Sequence, residues 1–216
     1  QTQILLDNVK DPEAYCLIQT HYGRTALHEA KTSEQTKLLL DSFTNENKDK
    51  YCLIQNYIGD TALHEAKTSN QTQVLLNAVK DPEAYCLIRD NAGNTALHYA
   101  KTAEQTQLLL DAVNDKEAFC LIQNYIGNTA LHEAKTTNQT QVLLNAVNDK
   151  DKYCLIKDAN GDTSLHLSET AEQTLLLLDA VNDKEAFCLI QNKYGFTALH
   201  FSKSKEQREL LLKYSK

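Results

Sequence analysis

The chain has 216 residues and a formal charge of −7, with 42% hydrophobic side chains and neither tryptophan nor methionine. Its 29 acidic side chains outnumber 22 basic ones, which argues against a phosphate-binding surface and hence against nucleic acid as a partner. No run approaches the roughly 18 apolar residues that a bilayer span needs, and no secretory or transit signal opens the chain, so no membrane association is expected.

From the first residue onward the chain is repetitive. Residues 1–18, QTQILLDNVKDPEAYCLI, nearly duplicate residues 71–88, QTQVLLNAVKDPEAYCLI. The chain therefore begins mid-repeat, which reads as a piece of a longer protein. All six glycines (Gly23, Gly59, Gly93, Gly127, Gly161, Gly195) open the motif G-x-T-A-L-H, with Ser164 replacing the alanine once. Their intervals are 36 residues and then 34 throughout, and the cysteines (Cys16, Cys52, Cys86, Cys120, Cys154, Cys188) keep the same spacing within Y/F-C-L-I. A fixed period of this size predicts a solenoid, in which each unit buries its apolar face against its neighbours.

The expected organisation is one domain over 1–216. Residues 1–20 are the second half of a repeat, further repeats start near 21, 57, 91, 125, 159 and 193, and residues 193–216 form a C-terminal cap. Residues 93–126 illustrate one unit. Gly93 permits the positive φ of a tight turn. Thr95 caps a short helix from Ala96 to about Lys101, with Leu97 and Ala100 facing the stack. Thr102 and Gln105 form a T-x-x-Q capping box that starts a second helix, whose stripe is Leu108, Leu109, Leu110 and Val113. Asp115 caps one more turn through Ala118, and in the related stretches Pro12 and Pro82 take the first helical position. The run 119–122 is consistent with either helix or extended chain. Segments 70–79 and 138–147 are identical, so the duplicated unit is a pair of repeats. The only change of length, within residues 42–49 (SFTNENKD), is expected to be a polar surface loop. Lys203, Lys205, Arg208, Lys213 and Lys216 suit the end of a terminal helix.

G-x-T-A-L-H-x-A resembles the T-P-L-H-x-A signature of ankyrin repeats. The residue three before each glycine (Thr20, Asn56, Asp90, Asn124, Asp158, Asn192) also fits that family's preference for Asp or Asn. The resemblance implies an all-α solenoid of helix-turn-helix units joined by β-hairpin-like turns in a curved stack. Three departures stand out. The motif proline is Ala or Ser, the link from the motif histidine to the leucine stripe is shorter, and the link from that stripe to the next glycine is longer. Shorter inter-helix loops and an added turn before each hairpin are expected.

The chemistry-bearing residues read as framework. Zinc sites need clustered ligands, whereas each cysteine here stands a full repeat from the next. Stacked neighbours roughly 8–10 Å apart exceed the separation of about 7 Å that a disulfide tolerates. Buried free thiols in a reducing compartment, hence a cytoplasmic location, are the expectation. The motif histidines (His28, His64, His98, His132, His166, His200) come in six equal copies, unlike a catalytic centre. In the family that this chain resembles they make structural hydrogen bonds. Asn70-Gln71-Thr72 and Asn138-Gln139-Thr140 match the glycosylation pattern by coincidence. No catalysis, cofactor or metal is expected.

The resemblance implies that another protein docks on the concave side and turn tips, with the chain itself monomeric. The residue after each motif histidine varies as Glu29, Glu65, Tyr99, Glu133, Leu167 and Phe201, while the tips carry Tyr22, Tyr57, Ile58, Tyr125, Ile126, Tyr194 and Phe196. Exposed aromatics are common anchors of protein interfaces. The expected partner-binding residues are Tyr22, Tyr57, Ile58, Glu65, Tyr99, Tyr125, Ile126, Glu133, Leu167, Tyr194 and Phe201, for a partner with basic and apolar features. The alternatives are a passive spacer within a longer multidomain protein, including a bacterial effector with catalysis elsewhere, and an enzyme with a Cys–His site.

Overall fold

The computed structural model describes residues 2–215. Gln1 and Lys216, the ends of the expected domain, lie outside the described residues, as do the side chains of Asn45 and Glu46. Among the described residues there are helices and turns but no strand, and no helix is long and apolar enough to cross a membrane.

Each repeat has three parts. A glycine turn leads into a single motif turn, then a longer helix, then a short helix that returns the chain to the next glycine. The longer helices are Ser33–Asp41, Ser69–Ala78, Ala103–Asp111, Thr137–Asn145, Ala171–Asp179 and Lys205–Tyr214, preceded by Thr2–Asp7 in the initial half repeat. The returning helices include Pro12–Cys16, Pro82–Cys86, Lys116–Cys120 and Lys150–Cys154. Asp115 caps its helix as its position suggests, accepting from Ala118 N at 2.8 Å.

The motif helix is shorter than expected. It spans only Ala96–Tyr99, it is a bare turn at residues 62–65 and 164–167, and it is a 3-10 turn at Ala198–Phe201. The following helix start takes the chain away. Thr102 Oγ1 accepts from Gln105 N at 3.1 Å, and Gln105 Oε1 accepts from Lys101 N at 3.0 Å, so Lys101 N–H is claimed by the next cap. Ala100 turns extended at ψ 133, and the helix stops.

The run 119–122, consistent in sequence with either helix or extended chain, is helical through Cys120 with Leu121 as the C-cap. One further expectation is corrected. The two-residue insertion is no loop: it lengthens the returning helix to Asn45–Cys52. Buried Phe43 stacks on Tyr51 with ring centroids 4.2 Å apart and anchors the start of that helix.

The core is a line of Leu, Ala, Val, Cys and aromatic side chains running through every repeat. Leu97, Ala100, Leu109, Leu110 and Val113 are buried, whereas Leu108 is only partly covered. Inside this apolar line runs a polar spine. Gln105 Nε2 donates to Ala66 O and to Thr72 Oγ1, both at 3.0 Å, in the preceding repeat. Gln71, Gln139, Gln173 and Gln207 repeat the reach, which satisfies a carbonyl left open where the motif turn ends. On the outside, Asp49, Glu83 and Asp151 accept from Lys80, Asn114 and Asn182 backbone N–H groups one repeat on.

Candidate partner-binding surface

The turn tips are held by their own backbone. Gly59 N donates to Asn56 O at 3.0 Å and Asn56 N donates to Asp60 O at 2.9 Å, while Asn56 Oδ1 accepts from Ile58 N and Asp60 N. Asp90, Asn124, Asp158 and Asn192 close their turns in the same way. Gly59 sits at φ +85, and a Cβ there would lie 2.7 Å from Asn91 N, so only glycine fits. Tips are also tied to one another. Tyr57 N donates to Tyr22 O at 3.0 Å, Asn91 N to Ile58 O at 2.9 Å and Tyr125 N to Ala92 O at 2.9 Å. Ala159 N to Ile126 O and Lys193 N to Asn160 O extend the ladder.

The tip side chains project from this fixed ladder. Tyr57 and Tyr125 are 70% and 72% exposed, and Tyr22, Ile58, Ile126, Tyr194 and Phe196 are exposed too. Arg89 lies over the Tyr125 ring at 5.4 Å, a cation–π contact that steadies the ring. At the position after the motif histidine, Tyr99 and Phe201 are partly exposed, and Glu65, Glu133 and Leu167 are half-buried. Phe201 meets Phe196 and His166 edge-on at 6.0 and 6.1 Å.

Bulk alternates along the tips, with Asn91-Ala92 between Tyr57-Ile58 and Tyr125-Ile126. The small tip leaves a notch of about 470 Å³ whose walls include Ala92, Tyr99, Tyr125, Ile126 and Glu133. Of the expected residues, this notch gathers Tyr99, Tyr125, Ile126 and Glu133. Tyr22, Leu167, Tyr194 and Phe201 belong to other repeats and lie away from it.

Apart from Phe196, the residue after each glycine went unnoticed in the sequence. It reads Arg24, Asp60, Asn94, Asn128, Asp162 and Phe196, and this variation beside an invariant glycine was the available signal. Several of these side chains meet one or both of two neighbours. Within the same repeat the neighbour is the residue after the histidine: Arg24 pairs with Glu29, Asn94 Nδ2 donates to Tyr99 Oη at 3.0 Å, and Asn128 Nδ2 donates to Glu133 at 2.6 Å. From the next repeat comes the Asn or Asp of the tip. Asn124 Nδ2 donates to Asn94 Oδ1 at 2.7 Å, and Asn192 Nδ2 donates to Asp162 Oδ1 at 2.8 Å.

Two rungs depart from this pattern: at Asn128 the next tip residue is Asp158 and Asn128 Oδ1 is buried without a partner, and the other is the rung at Asp60. At Asp60 the residue after the histidine is Glu65 and the tip residue is Asp90, so neither neighbour carries a donor. Asp60 is 6% exposed, and its Oδ1 has no hydrogen-bond partner. Burial first, then the charges of Glu65 and Asp90, push its carboxyl up to about 6. Burial opposes ionisation of Asp90 as well, but hydrogen bonds from Tyr99, Asn94 and Ala92 hold that carboxyl below the usual range. Tyr99 Oη donates to Asp90 Oδ2 at 2.6 Å, and Arg24 pairs with Glu65.

The cysteines and histidines are occupied elsewhere. All six thiols are buried and free, and burial pushes Cys52, Cys86, Cys120 and Cys154 up to about 12, which leaves them protonated and unreactive at neutral pH. Thr25 N donates to His28 Nδ1 at 3.1 Å, so His28 Nε2 carries the proton and donates to Asp60 O at 3.0 Å. His64, His98 and His166 repeat this bridge to the next repeat, His132 Nε2 meets Ile156 O instead, and burial holds all five below the ordinary value. Among the described residues no group of three His, Cys, Asp or Glu side chains is placed to hold a metal ion.

No family model and no curated protein sequence matches the chain. Among solved structures it is similar to the crystal structure of the ankyrin repeat domain of Bcl-3, a member of the IkappaB protein family. The TM-score is 0.60 over 97% of this chain and 91% of that one, at 20% sequence identity. Identity at that level speaks for architecture alone: this chain folds as an ankyrin-repeat solenoid.

Proposed function

We propose that this chain is a protein-binding module that receives another protein on its concave side and turn tips, without catalysis of its own. The observation that carries the reading is the presentation of Tyr57 and Tyr125, large exposed aromatics on tips whose backbone is hydrogen-bonded from repeat to repeat. A side chain offered from a rigid backbone loses little entropy on binding, and aromatic anchors dominate interface energetics. Tyr22, Ile58, Glu65, Tyr99, Ile126, Glu133, Leu167, Tyr194 and Phe201 complete the proposed surface. The occupied histidines and protonated thiols support the absence of catalysis, and six buried free thiols suit a reducing, cytoplasmic setting. The chain is proposed to act as a monomer.

The test combines Tyr57→Ala, Tyr99→Ala and Tyr125→Ala in one variant. Its helical content and urea midpoint should stay close to those of the parent chain. The immobilised parent should retain a specific protein that the variant does not. Equal retention by both would contradict the proposal and favour the passive spacer.

A further inference from the structure

The initial half repeat carries two apolar helices and no motif turn. Its helices Thr2–Asp7 and Pro12–Cys16 correspond to residues 71–88, which residues 1–18 nearly duplicate. Their surroundings differ. Leu75 and Tyr85 are fully buried, whereas Leu5 and Tyr15 in the same positions are 54% and 41% exposed. Ile18 is exposed where Ile54, Ile88, Ile122, Ile156 and Ile190 pack against the core. The opposite end of the stack is finished differently. Arg208 stands exposed where Thr36, Thr72, Thr106, Thr140 and Thr174 are buried, and Lys205, Glu206 and Glu209 accompany it on the last helix. A terminal unit that faces water turns a polar side outward. The C-terminal unit does so, and the initial half repeat does not.

The later repeats show what covers such a face. There the motif turn packs on the longer helix that follows it, and neighbouring motif turns pack on each other, as Ala96–Tyr99 does on Ala130–Glu133. Tyr51 Oη accepts from Leu27 N at 3.1 Å, so the tyrosine of a returning helix holds the backbone of its own motif turn. In the initial half repeat the same place is a cavity of about 220 Å³ walled by Leu5, Leu6, Tyr15, Ala26, Ala30 and Gln35. Gln35 supplies an independent mark. Gln71, Gln105, Gln139, Gln173 and Gln207 each send Nε2 to the carbonyl that ends the preceding motif turn. Gln35 keeps the capping half of that pattern, with Oε1 accepting from Lys31 N at 2.9 Å, but its Nε2 has no acceptor among the described residues. Arg24 O is open in the same way. It accepts from Thr20 N as Asp60 O accepts from Asn56 N, yet Asp60 O also receives His28 Nε2, and Arg24 O has no imidazole donor among the described residues.

We propose that the exposed end of the initial half repeat is a docking seat for one motif turn of the chain's own kind, T-A-L-H-x-A, leading directly into the helix Thr2–Asp7. The seated turn places its leucine and alanine in the cavity, its last carbonyl on Gln35 Nε2, its histidine on Arg24 O and a backbone N–H on Tyr15 Oη. A second copy of the chain does not meet this need. Its motif turns are covered within its own stack, and its C-terminal end offers the charged Arg208 to an apolar face. The seat lies at the end of the stack and is independent of the partner surface proposed at the tips.

The experiment joins residues 57–70 (YIGDTALHEAKTSN), the sequence that precedes Gln71, ahead of Gln1 in the full chain. The product is compared with the parent and with an extension of the same composition in scrambled order. Backbone hydrogen exchange in Thr2–Asp7 and nitration of Tyr15 read the face directly, and the urea midpoint reads the stack. The matching extension should slow exchange in Thr2–Asp7 roughly ten-fold or more, shield Tyr15 and raise the midpoint, because a nearest-neighbour interface has been added. Gln35→Ala should lower the midpoint of the extended chain more than that of the parent, since only there does the amide meet a carbonyl. The scrambled extension should leave every reading at the parent value. Equal protection by the scrambled sequence would overturn the inference, and so would a Tyr15 that stays as reactive in the extended chain as in the parent. A parent that sediments as a dimer with Tyr15 already shielded would overturn it in favour of a second copy.

Discussion

The Asn94–Asn124 and Asp60–Asp90 pairs occupy the same place in consecutive repeats, yet they are built on opposite terms. In the first, an amide donates across the repeat junction at 2.7 Å and the rung is closed. In the second, two acids face one another, Asp60 Oδ1 has no partner, and its carboxyl is held near 6. Everything beneath the two rungs is alike: the glycine, the motif threonine, the bridging histidine and the reaching glutamine recur in both repeats. The difference teaches that the framework of this solenoid is carried by a hydrogen-bonded spine that tolerates little change. The turn-tip side rests on that spine and holds the facing acids Asp60 and Asp90 within the same fold.

The comparison can be broken from either side, beginning with the framework. Gln105→Ala removes one spine residue and leaves Ala66 O and Thr72 Oγ1 without their donor in a dry interior. A loss of about 3 kcal/mol is expected, read as a shifted urea midpoint, since each orphaned buried group costs about 1–3 kcal/mol. A variant with an unchanged midpoint would mean that the spine is decorative.

Next in size is the glycine turn. Gly59→Ala places a Cβ against Asn91 N and Asp90 Cα and forces a left-handed residue, whereas at Gly195 nothing lies within 4 Å of the added atom. Gly59→Ala should cost about 2–3 kcal/mol, and Gly195→Ala only about 1, the backbone term by itself. Equal losses at the two sites would show that tip-to-tip contact contributes nothing.

The rungs themselves differ in their pH response. A carboxyl raised in the folded chain takes up a proton on folding between its unfolded value and about 6, so Asp60 destabilises the fold progressively as pH rises through that window. Asp60→Asn should therefore stabilise the chain by on the order of 1–2 kcal/mol at pH 7, and that advantage should vanish near pH 4. Parallel stability curves for parent and variant would remove the argument for an open rung.

The smallest effect is spread across the histidines. His28, His64, His98, His132 and His166 are held below their ordinary value, so unfolding binds protons and stability is lost as pH falls below about 6.5. Replacing His98 by glutamine should weaken that acid sensitivity slightly. A steeper acid loss would mean that the imidazole is charged in the fold.

Much of this architecture was legible in the chain because repetition multiplies weak signals. One G-N-T-A-L-H is a turn followed by a helix start; six in register are a stack. The glycine turns and the buried thiols follow from that alone. Contacts across the repeat junction were not legible. Gln105 reads as a capping residue, and its Oε1 does serve that role, but its Nε2 crosses to a residue 39 positions earlier. Asp60 and Asp90 stand 30 positions apart in sequence, and nothing local marks them as facing one another. The insertion misled for another reason. Its polar composition suggests a loop, yet buried Phe43 stacked on Tyr51 anchors a longer helix.

The most direct test is the footprint of a bound partner, measured as backbone amide shifts or hydrogen-exchange protection on the full chain. Changes centred on Tyr57-Ile58, Asn91-Ala92, Tyr99 and Tyr125-Ile126, with the helices Ala103–Asp111 and Thr137–Asn145 little affected, are the predicted result. A footprint confined to those two helices, with the tips silent, would contradict the account.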